Sequence, residues 1–353
     1  MSRIEQILQE AKEAGASDVH ITVGIPPKMR VNGKLLEMTS YGKMLPPDTL
    51  EIADEIMSEK QRARLEEQGQ YDMSFSIQGI GRFRLNLFKQ RGSVAMAIRL
   101  VATEIPDVQV LGIPESVIRL YQRQRGLILV TGPTGSGKST TLAAIIDMIN
   151  NNRESHIITL EDPIEFLYHH NLSIVNQREI GLDSNNYANA LRAALREDPD
   201  VILVGEMRDL ETISTAITAA ETGHLVLSTL HTIGAASTVD RIIDVFPPHQ
   251  QQQIRIQLAG VLEAIISQQL IPTADGNSRV AAFEVMHVNS AVRNKVREGK
   301  THQLISDMQT GRKQGMITMD EAILQLYQAG RITKEKALQY AQDPDIMQLK
   351  IMR

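Results

Sequence analysis

The spacing of apolar and polar residues predicts a mixed α and β region in the first part of the chain. Residues 2–14 place apolar side chains on one helix face, and Ser2 and Glu5 have the spacing of a capping box. The segments that follow have the patterns of strands at 19–23 and 28–31, a helical stretch at about 48–68, and antiparallel strands at 75–101. We therefore expect residues 1–102 to form a small α+β domain.

A different pattern begins after residues 103–116. These residues contain two prolines and a glycine, and their apolar positions follow neither the helical nor the strand period. We interpret this segment as a linker. Beyond it, short apolar runs alternate with helical stretches, which is the pattern of a parallel sheet covered on both faces. The runs lie at 127–130, 157–160, 201–204 and 225–230. After about Ala235 the sequence is mostly helix-periodic, so we expect an α/β domain over residues 117–353 that ends in helices.

The amino-acid composition argues against several classes of protein and site. The 353 residues are 42% hydrophobic, enough for the cores of two domains, and the net charge of -5 argues against a nucleic-acid partner. Because the chain has no cysteine, disulfides, thiol nucleophiles and cysteine metal sites are excluded. No apolar run reaches the roughly 20 residues of a membrane helix, and the N-terminus lacks the apolar core of a signal peptide. We expect a cytoplasmic protein, at most peripheral to a membrane.

The segment GPTGSGKS at 132–139 matches the phosphate-binding pattern G-x-x-x-x-G-K-[ST]. It follows an apolar strand and precedes a helix-forming segment, which disfavours a chance glycine turn. In this setting backbone amides surround phosphates, Lys138 reaches the β- and γ-phosphates, and the Ser139 hydroxyl can bind Mg²⁺. ATP and Mg²⁺ are therefore the expected ligands. The predicted nucleotide-binding residues are Gly132, Pro133, Thr134, Gly135, Ser136, Gly137, Lys138, Ser139 and Thr140.

Polar residues follow three further apolar runs, and the carboxyl ends of parallel strands share one ligand-binding edge. Hydrolysis needs a group that orients water, and Glu206 is the first candidate for this role. Glu161 is the second, acting through the metal or its waters; the alternative for either acid is a surface carboxylate. His231, at the end of the last run, is the better γ-phosphate sensor. His224, at the start of that run, either contacts another subunit or caps the strand.

Four arginines of the first domain are candidates for a second role. Arg82 and Arg84 alternate with apolar residues and so share one face of a strand, and Arg91 and Arg99 follow on the next segment. The usual explanation of such a face is solvation. The functional alternative is an arginine supplied to a nucleotide held by a neighbouring subunit in a ring.

Taken together, four segments resemble the ordered signatures of the secretion ATPases of type II secretion and type IV pili. They are a Walker A motif at 132–140, an aspartate box at 158–166, a Walker B region at 195–209 and a histidine box at 222–232. Segments 16–21 and 81–88 also look like the first domain of that superfamily. The likeness therefore covers nearly the whole chain.

One further segment resembles a motif of the retraction ATPases, the PilT family. AVRNKVRE is similar to AIRNLIRE and comprises Ala291, Val292, Arg293, Asn294, Lys295, Val296, Arg297 and Glu298. It departs from that pattern at Val292, Lys295 and Val296, and Lys295 puts a charge where the pattern has an apolar residue. The chain also lacks the extra N-terminal domains and the four-cysteine zinc subdomain typical of extension and type II secretion ATPases.

The resemblance implies a RecA-like P-loop domain with a mainly parallel sheet, preceded by a PAS-like α+β domain and followed by helices. It implies a homo-hexamer that turns ATP hydrolysis into domain rotation and type IV pilus retraction, at the inner face of the cytoplasmic membrane. The implied partners are the inner-membrane platform protein and other pilus ATPases. It also implies nucleotide and Mg²⁺ binding by Lys138 and Ser139, and an acidic or catalytic role for Glu161 and Glu206.

Several alternatives remain at this point. Within the superfamily they are an accessory retraction ATPase and a pilus extension or type II secretion ATPase. From other classes they are a P-loop kinase, which needs an acceptor, and a nucleotide-binding switch that does not hydrolyse and would need no Glu206. Phosphate release that needs no acceptor and is abolished by Glu206→Gln would separate these last two from an ATPase.

Overall fold

The computed structural model describes residues 1–31, 33–101 and 105–352. The chain divides into two compact units. The first comprises Met1–Glu104 with Pro163–Leu167, and the second comprises Ile105–Asp162 with Tyr168–Arg353. The predicted linker begins at Thr103, which lies outside the described residues together with Ala102 and Glu104.

The first unit is an antiparallel sheet of six strands with three helices, and its sheet order is β3-β2-β1-β6-β5-β4. Its elements are α1 (Arg3–Glu13), β1 (Asp18–Ile21), β2 (Lys28–Val31), β3 (Lys34–Glu37), α2 (Pro46–Asp54), α3 (Glu59–Gln68), β4 (Gln70–Ile77), β5 (Gly81–Gln90) and β6 (Ser93–Leu100). One face of β5 supplies Phe83, Leu85 and Leu87 to the core of this unit. The α+β class and the antiparallel strands predicted from the alternation are confirmed.

Local sequence signals explain where the helices of this unit begin. The Ser2 side chain and the Glu5 side chain each bond the backbone of the other, so the predicted capping box forms at the start of α1. The helical stretch predicted at about 48–68 consists of two helices, α2 and α3. Ser58 has extended backbone between them, and its side chain accepts a hydrogen bond from the Gln61 amide to start α3.

The second unit is a seven-stranded sheet with helices on its faces. Its elements are α4 (Glu115–Ile118), a 3₁₀ turn (Arg119–Gln122), β7 (Gly126–Thr131), α5 (Lys138–Asn152), β8 (His156–Glu161), β9 (Ile174–Glu179), α6 (Tyr187–Ala194), β10 (Val201–Val204), α7 (Leu210–Glu221), β11 (Leu225–Leu230), α8 (Ala235–Asp244), α9 (Pro248–Val261), β12 (Leu262–Pro272), β13 (Arg279–His287), α10 (Ser290–Glu298), two further 3₁₀ turns (Thr301–Gln303 and Gly311–Gln314), α11 (Leu304–Thr310), α12 (Met319–Gln328), α13 (Lys334–Tyr340) and α14 (Pro344–Ile351). None of the helices in the described ranges is long and apolar enough to cross a bilayer.

The strand order of this sheet is β13-β12-β7-β11-β10-β8-β9. Six neighbouring strands are parallel, and β13 joins the edge in the antiparallel sense. Every residue of β7, β10 and β11 is buried, as expected for strands covered on both faces. The mainly parallel sheet and the helical C-terminal region predicted from the sequence are therefore confirmed.

The expectation that the chain is mostly helical after Ala235 is wrong for β12 and β13. Helix α9 ends at Val261 and strand β12 begins at the next residue, so no turn or loop separates the two elements. A short apolar run has the same local pattern in a buried strand and in a buried helix, so periodicity alone does not separate them. The consequence is large, because β12 lies directly beside β7.

Two glycines at helix ends allow a test of packing at matched backbone conformation. Gly315 has φ 83° and Gly330 has φ 67°, so alanine at either position adopts a left-handed conformation that costs about 1 kcal/mol or more. A Cβ atom on Gly315 would lie 2.4 Å from the Ser116 Cβ, whereas a Cβ on Gly330 meets nothing within 4 Å. We expect Gly315→Ala to lower the free energy of unfolding by about 1–3 kcal/mol more than Gly330→Ala. Urea unfolding of the two variants measures this difference, and equal losses would contradict it.

Candidate active site

The predicted phosphate loop has the strand–loop–helix geometry that its motif requires. Strand β7 ends at Thr131 and helix α5 begins at Lys138. Three glycines between them have positive φ: Gly132 at 143°, Gly135 at 77° and Gly137 at 90°. A Cβ atom on Gly132 would lie 2.3 Å from the backbone oxygen of Gln268, so only glycine allows the loop to approach β12 this closely.

The polar side chains of this loop fit an anionic ligand. Lys138 is 8% exposed, and its Nζ donates to the carbonyl oxygens of Gly132 and Pro133 at 3.0 Å each. Ser136 is buried, and its Oγ has no hydrogen-bond partner among the described residues. A buried hydroxyl without a partner, next to an ammonium group and the first amides of a helix, suits phosphate oxygens.

A residue of β12 that the sequence did not single out anchors the start of α5. The Thr141 hydroxyl donates to Gln268 Oε1 at 2.7 Å, and both side chains are buried. The Gln268 Nε2 lies 2.8 Å from the place a Cβ on Gly137 would occupy. Gln268 therefore contacts both ends of the glycine loop. The sequence does not point to Gln268, because the region after Ala235 is predicted to be mostly helical.

The two candidate acids follow neighbouring strands at the same edge of the sheet as the loop. Glu161 ends β8, is 9% exposed, and its Oε1 accepts hydrogen bonds from Thr159 Oγ1 at 2.6 Å and Gln177 Nε2 at 3.1 Å. Glu206 lies just after β10, and its Oε2 is 2.7 Å from Arg208 Nε. The structure thus brings both carboxylates to the carboxyl ends of the strands, where a ligand of an open α/β sheet binds.

The two histidines lie at opposite ends of β11. His231 follows the strand, and its Nε2 is 3.5 Å from Glu206 Oε2. These two residues line a cavity of about 420 Å³ together with Thr229 and Arg241. His224 precedes the strand, where its Nδ1 donates to the Ala219 carbonyl at 2.9 Å. Since a carbonyl oxygen can only accept, His224 Nδ1 carries the proton and caps the end of α7.

Tyr187, the first residue of α6, is a second residue that sequence reasoning missed. Its hydroxyl lies 2.9 Å from the place a Cβ on Gly205 would occupy, so a side chain at Gly205 would displace it. Burial raises the pKa of the Tyr187 phenol, and the negative charges of Glu206, Asp162 and Glu161 raise it further. The phenol therefore keeps its proton and remains a hydrogen-bond donor beside the candidate acids. A tyrosine in a helical segment gave no local signal of this position.

The four candidate arginines all lie in the first unit. Arg84 of β5 and Arg99 of β6 are cross-strand neighbours, and Arg99 Nε is 2.9 Å from Asp18 Oδ1. Arg82 of β5 has its Nη1 3.5 Å from Ser76 Oγ. Arg91 has φ 50° in the turn between β5 and β6. Arg84 and Arg91 are exposed, while Arg82 is partly buried.

The motif at 291–298 forms helix α10. Val292 and Val296 are buried on one face, which explains why valine serves at these two positions. Lys295 is partly buried, and its Nζ is 3.4 Å from Asp307 Oδ2 of α11. The charge that departs from the family pattern is therefore directed to a neighbouring helix. The outward residues of the motif are Ala291, Asn294, Arg297 and Glu298.

The oxygen donors at this edge suit Mg²⁺ held partly by a nucleotide. Ser139 lies in the first turn of α5, Glu206 follows β10 two strands away from β7, and Glu161 ends β8 on the next strand along the same edge. Within the described ranges there is no group of three or more acidic or imidazole side chains that could form a metal cage. Mg²⁺ commonly uses one or two protein oxygens together with phosphate and water, and this donor set matches that preference.

Comparison with known proteins places the chain among relatives of similar length. The family model described as "Type II/IV secretion system protein" matches residues 1–348. The type IV pilus retraction ATPase PilT of Pseudomonas aeruginosa is 45% identical over 97% of this chain and 99% of that protein. The type IV pilus ATPase PilU of the same organism is 42% identical over 98% of this chain and 91% of that protein.

A solved structure agrees with the same relationship. The crystal structure of the pilus retraction motor PilT with bound ADP has a TM-score of 0.92 and 52% identity to this chain. The match covers 99% of this chain and all of that one. With a family match over nearly its whole length, the chain belongs to the type II/IV secretion system protein family and, within it, to the PilT-type pilus retraction ATPases.

Proposed function

We propose that this chain hydrolyses ATP in a hexameric ring and uses the free energy of hydrolysis to retract type IV pili. Its similarity to retraction ATPases over nearly the whole chain supports the pilus function. The observation that supports hydrolysis most directly is the single sheet edge shared by the phosphate loop, Glu161, Glu206 and His231. That edge is where an open α/β sheet binds its ligand.

Each side chain at this edge has a role in the proposed reaction. The amides at the start of α5 and the Lys138 ammonium bind the β- and γ-phosphates. The Glu206 carboxylate accepts a hydrogen bond from the attacking water and orients it toward the γ-phosphate, and His231, 3.5 Å from that carboxylate, contacts the γ-phosphate. Mg²⁺, when bound, neutralises charge on the β- and γ-phosphates; Ser139 would hold it directly, and Glu161 or Glu206 would hold it through water.

The ring and its partners belong to the same proposal. In a hexamer, one of Arg82, Arg84, Arg91 and Arg99 would reach a nucleotide held by the neighbouring subunit and meet the charge of the transferred phosphoryl group. The proposed partner is the inner-membrane platform protein of the pilus, with contacts to other pilus ATPases. The protein would then work at the cytoplasmic face of the inner membrane.

Two alternatives give different experimental results. A P-loop kinase would release little phosphate without an acceptor. A nucleotide-binding switch would bind nucleotide without releasing phosphate, whether or not Glu206 is changed. An accessory retraction ATPase would hydrolyse ATP in the same way.

Steady-state phosphate release with Mg²⁺-ATP and no acceptor tests the proposed reaction. We expect turnover that rises with protein concentration as rings assemble. Lys138→Ala should abolish both nucleotide binding and turnover, because it removes the charge that faces the phosphates. Glu206→Gln should lower turnover about 10²–10⁴-fold while nucleotide still binds, because the amide orients water poorly.

The matched control is Glu211→Gln, the same chemical change on the surface of α7, where the side chain pairs with Arg192. It should leave turnover unchanged. Phosphate release by Glu206→Gln at the wild-type rate would show that Glu206 has no role in hydrolysis. An absence of wild-type release at every protein concentration would favour the kinase or the switch.

Single alanine variants test the arginine in trans. At least one of Arg82→Ala, Arg84→Ala, Arg91→Ala and Arg99→Ala should lower turnover of assembled rings about 10³-fold or more, without loss of nucleotide binding. Arg64→Ala is the control, because Arg64 is an exposed arginine of α3 in the same unit. Ring assembly is checked by size-exclusion chromatography. Full turnover in all four variants would contradict the role.

A further inference from the structure

A buried carboxylate joins the starts of two helices in the second unit. Glu284 of β13 is 4% exposed. Its Oε1 accepts a hydrogen bond from the Ala235 amide at 2.7 Å, and its Oε2 accepts one from the Met319 amide at 3.1 Å. Ala235 is the first residue of α8, and Met319 is the first residue of α12. One side chain therefore caps two helices that are far apart in sequence.

The chemistry of this position requires two acceptor oxygens. Burial raises the pKa of Glu284, hydrogen bonds from the amides of Ala235 and Met319 act in the opposite direction, and the negative charge of Asp320 adds to the rise. The positive ends of two helix dipoles also favour a negative charge between them. A glutamine here would present one carbonyl oxygen and one NH₂ group, so one of the two helix amides would face a donor.

On the α8 side, Glu284 anchors the loop that follows His231. The Gly234 amide donates to Ser267 Oγ at 3.0 Å, and Ser267 pairs in register with Glu284 across β12 and β13. The Thr232 hydroxyl is 2.7 Å from the Thr238 hydroxyl, which ties the middle of the loop to α8. The segment between His231 and α8 is thus bound to β12 and β13 at the end that leads into α8.

On the α12 side, the contacts continue to the last helix. The Asp320 carboxylate accepts hydrogen bonds from the Gln342 amide at 2.6 Å and the Asp343 amide at 3.1 Å. Asp343 caps α14. Two backbone hydrogen bonds between Val285 and Ile317 hold the segment that leads into α12. Hydrogen bonds on either side of the Met319–Asp320 peptide link therefore connect the His231 loop, through Glu284, to the C-terminal helices.

We propose that Glu284 is a positioning residue that sets the His231 loop and couples it to α12 and α14. Its two oxygens bind the starts of two helices. The C-terminal helices therefore oppose a displacement of the loop, and the loop opposes a displacement of those helices. The role of His231 in this inference rests on the proposed function, because that histidine acts only if the chain hydrolyses ATP. The alternative is a purely structural carboxylate whose loss lowers stability without a specific effect on either helix start.

Hydrogen exchange tests the coupling without reference to hydrolysis. Glu284→Gln should speed amide exchange in two places together, at 234–236 and at 319–321, while exchange in β7 stays unchanged. Ser267→Ala is the matched control, because Ser267 bonds the loop and has no contact with the α12 amide in the described structure. It should speed exchange at 234–236 alone. A uniform rise across the unit, or a rise at one helix start only, would overturn the coupling.

Turnover tests whether Glu284 acts through His231. We expect Glu284→Gln to lower turnover about tenfold, which corresponds to about 1.4 kcal/mol, with nucleotide affinity unchanged. In a His231→Ala background the further effect of Glu284→Gln should be within about twofold, because the group that it positions is gone. Multiplied effects would show that Glu284 acts by another route. If the wild type released no phosphate, the proposed function would fail, and the exchange measurement would still decide the coupling.

Discussion

The carboxyl edge of the parallel sheet is the constraint on which the rest of the second unit depends. Hydrogen bonds across this edge link three neighbouring strands: the Gly205 amide donates to the Leu160 carbonyl at 2.8 Å, and the Thr229 hydroxyl donates to the Gly205 carbonyl at 2.6 Å. Because these strands are buried on both faces, their ends cannot shift independently. The strand register places Glu161, Glu206 and His231 within two residues of one another along the strand direction, at the edge of the sheet that also carries the loop after β7. Such fixed placement is what hydrolysis of a bound phosphate requires.

Two glycines allow the backbone at this edge to approach neighbouring groups closely. Gly132 lets the phosphate loop lie against β12, and Gly205 leaves room for the hydroxyl of Tyr187 beside the end of β10. At the far side of the sheet, Glu284 connects the strand edge to helix starts rather than to solvent. The site of an ATPase of the pilus retraction family and the helices that follow it are thus parts of one hydrogen-bonded structure within the second unit.

The sequence predicted those parts of the fold whose signals are local. The phosphate loop and the strands at 201–204 and 225–230 were located to the residue, because glycine patterns and apolar runs mark them directly. Strand β12 was missed because an apolar run directly after a helix gives no boundary. Strand β13 did have a local signal, because Asp275-Gly276 between the two strands is typical of a hairpin. Gln268 and Glu284 lie on these strands and were not predicted either, because their partners are distant in the chain. Thr141 and Gln268, for example, are 127 residues apart. No periodicity in a single sequence records a contact of that kind.

The most direct test of this account is an experimental structure of the assembled protein with Mg²⁺, ADP and a planar mimic of the transferred phosphoryl group. The account predicts that the mimic lies over the loop between β7 and α5, with the Glu206 carboxylate within hydrogen-bond distance of the in-line water and Ser139 bound to the metal. A water oriented by another group, with Glu206 directed away from it, would contradict the central claim that this sheet edge performs the hydrolysis.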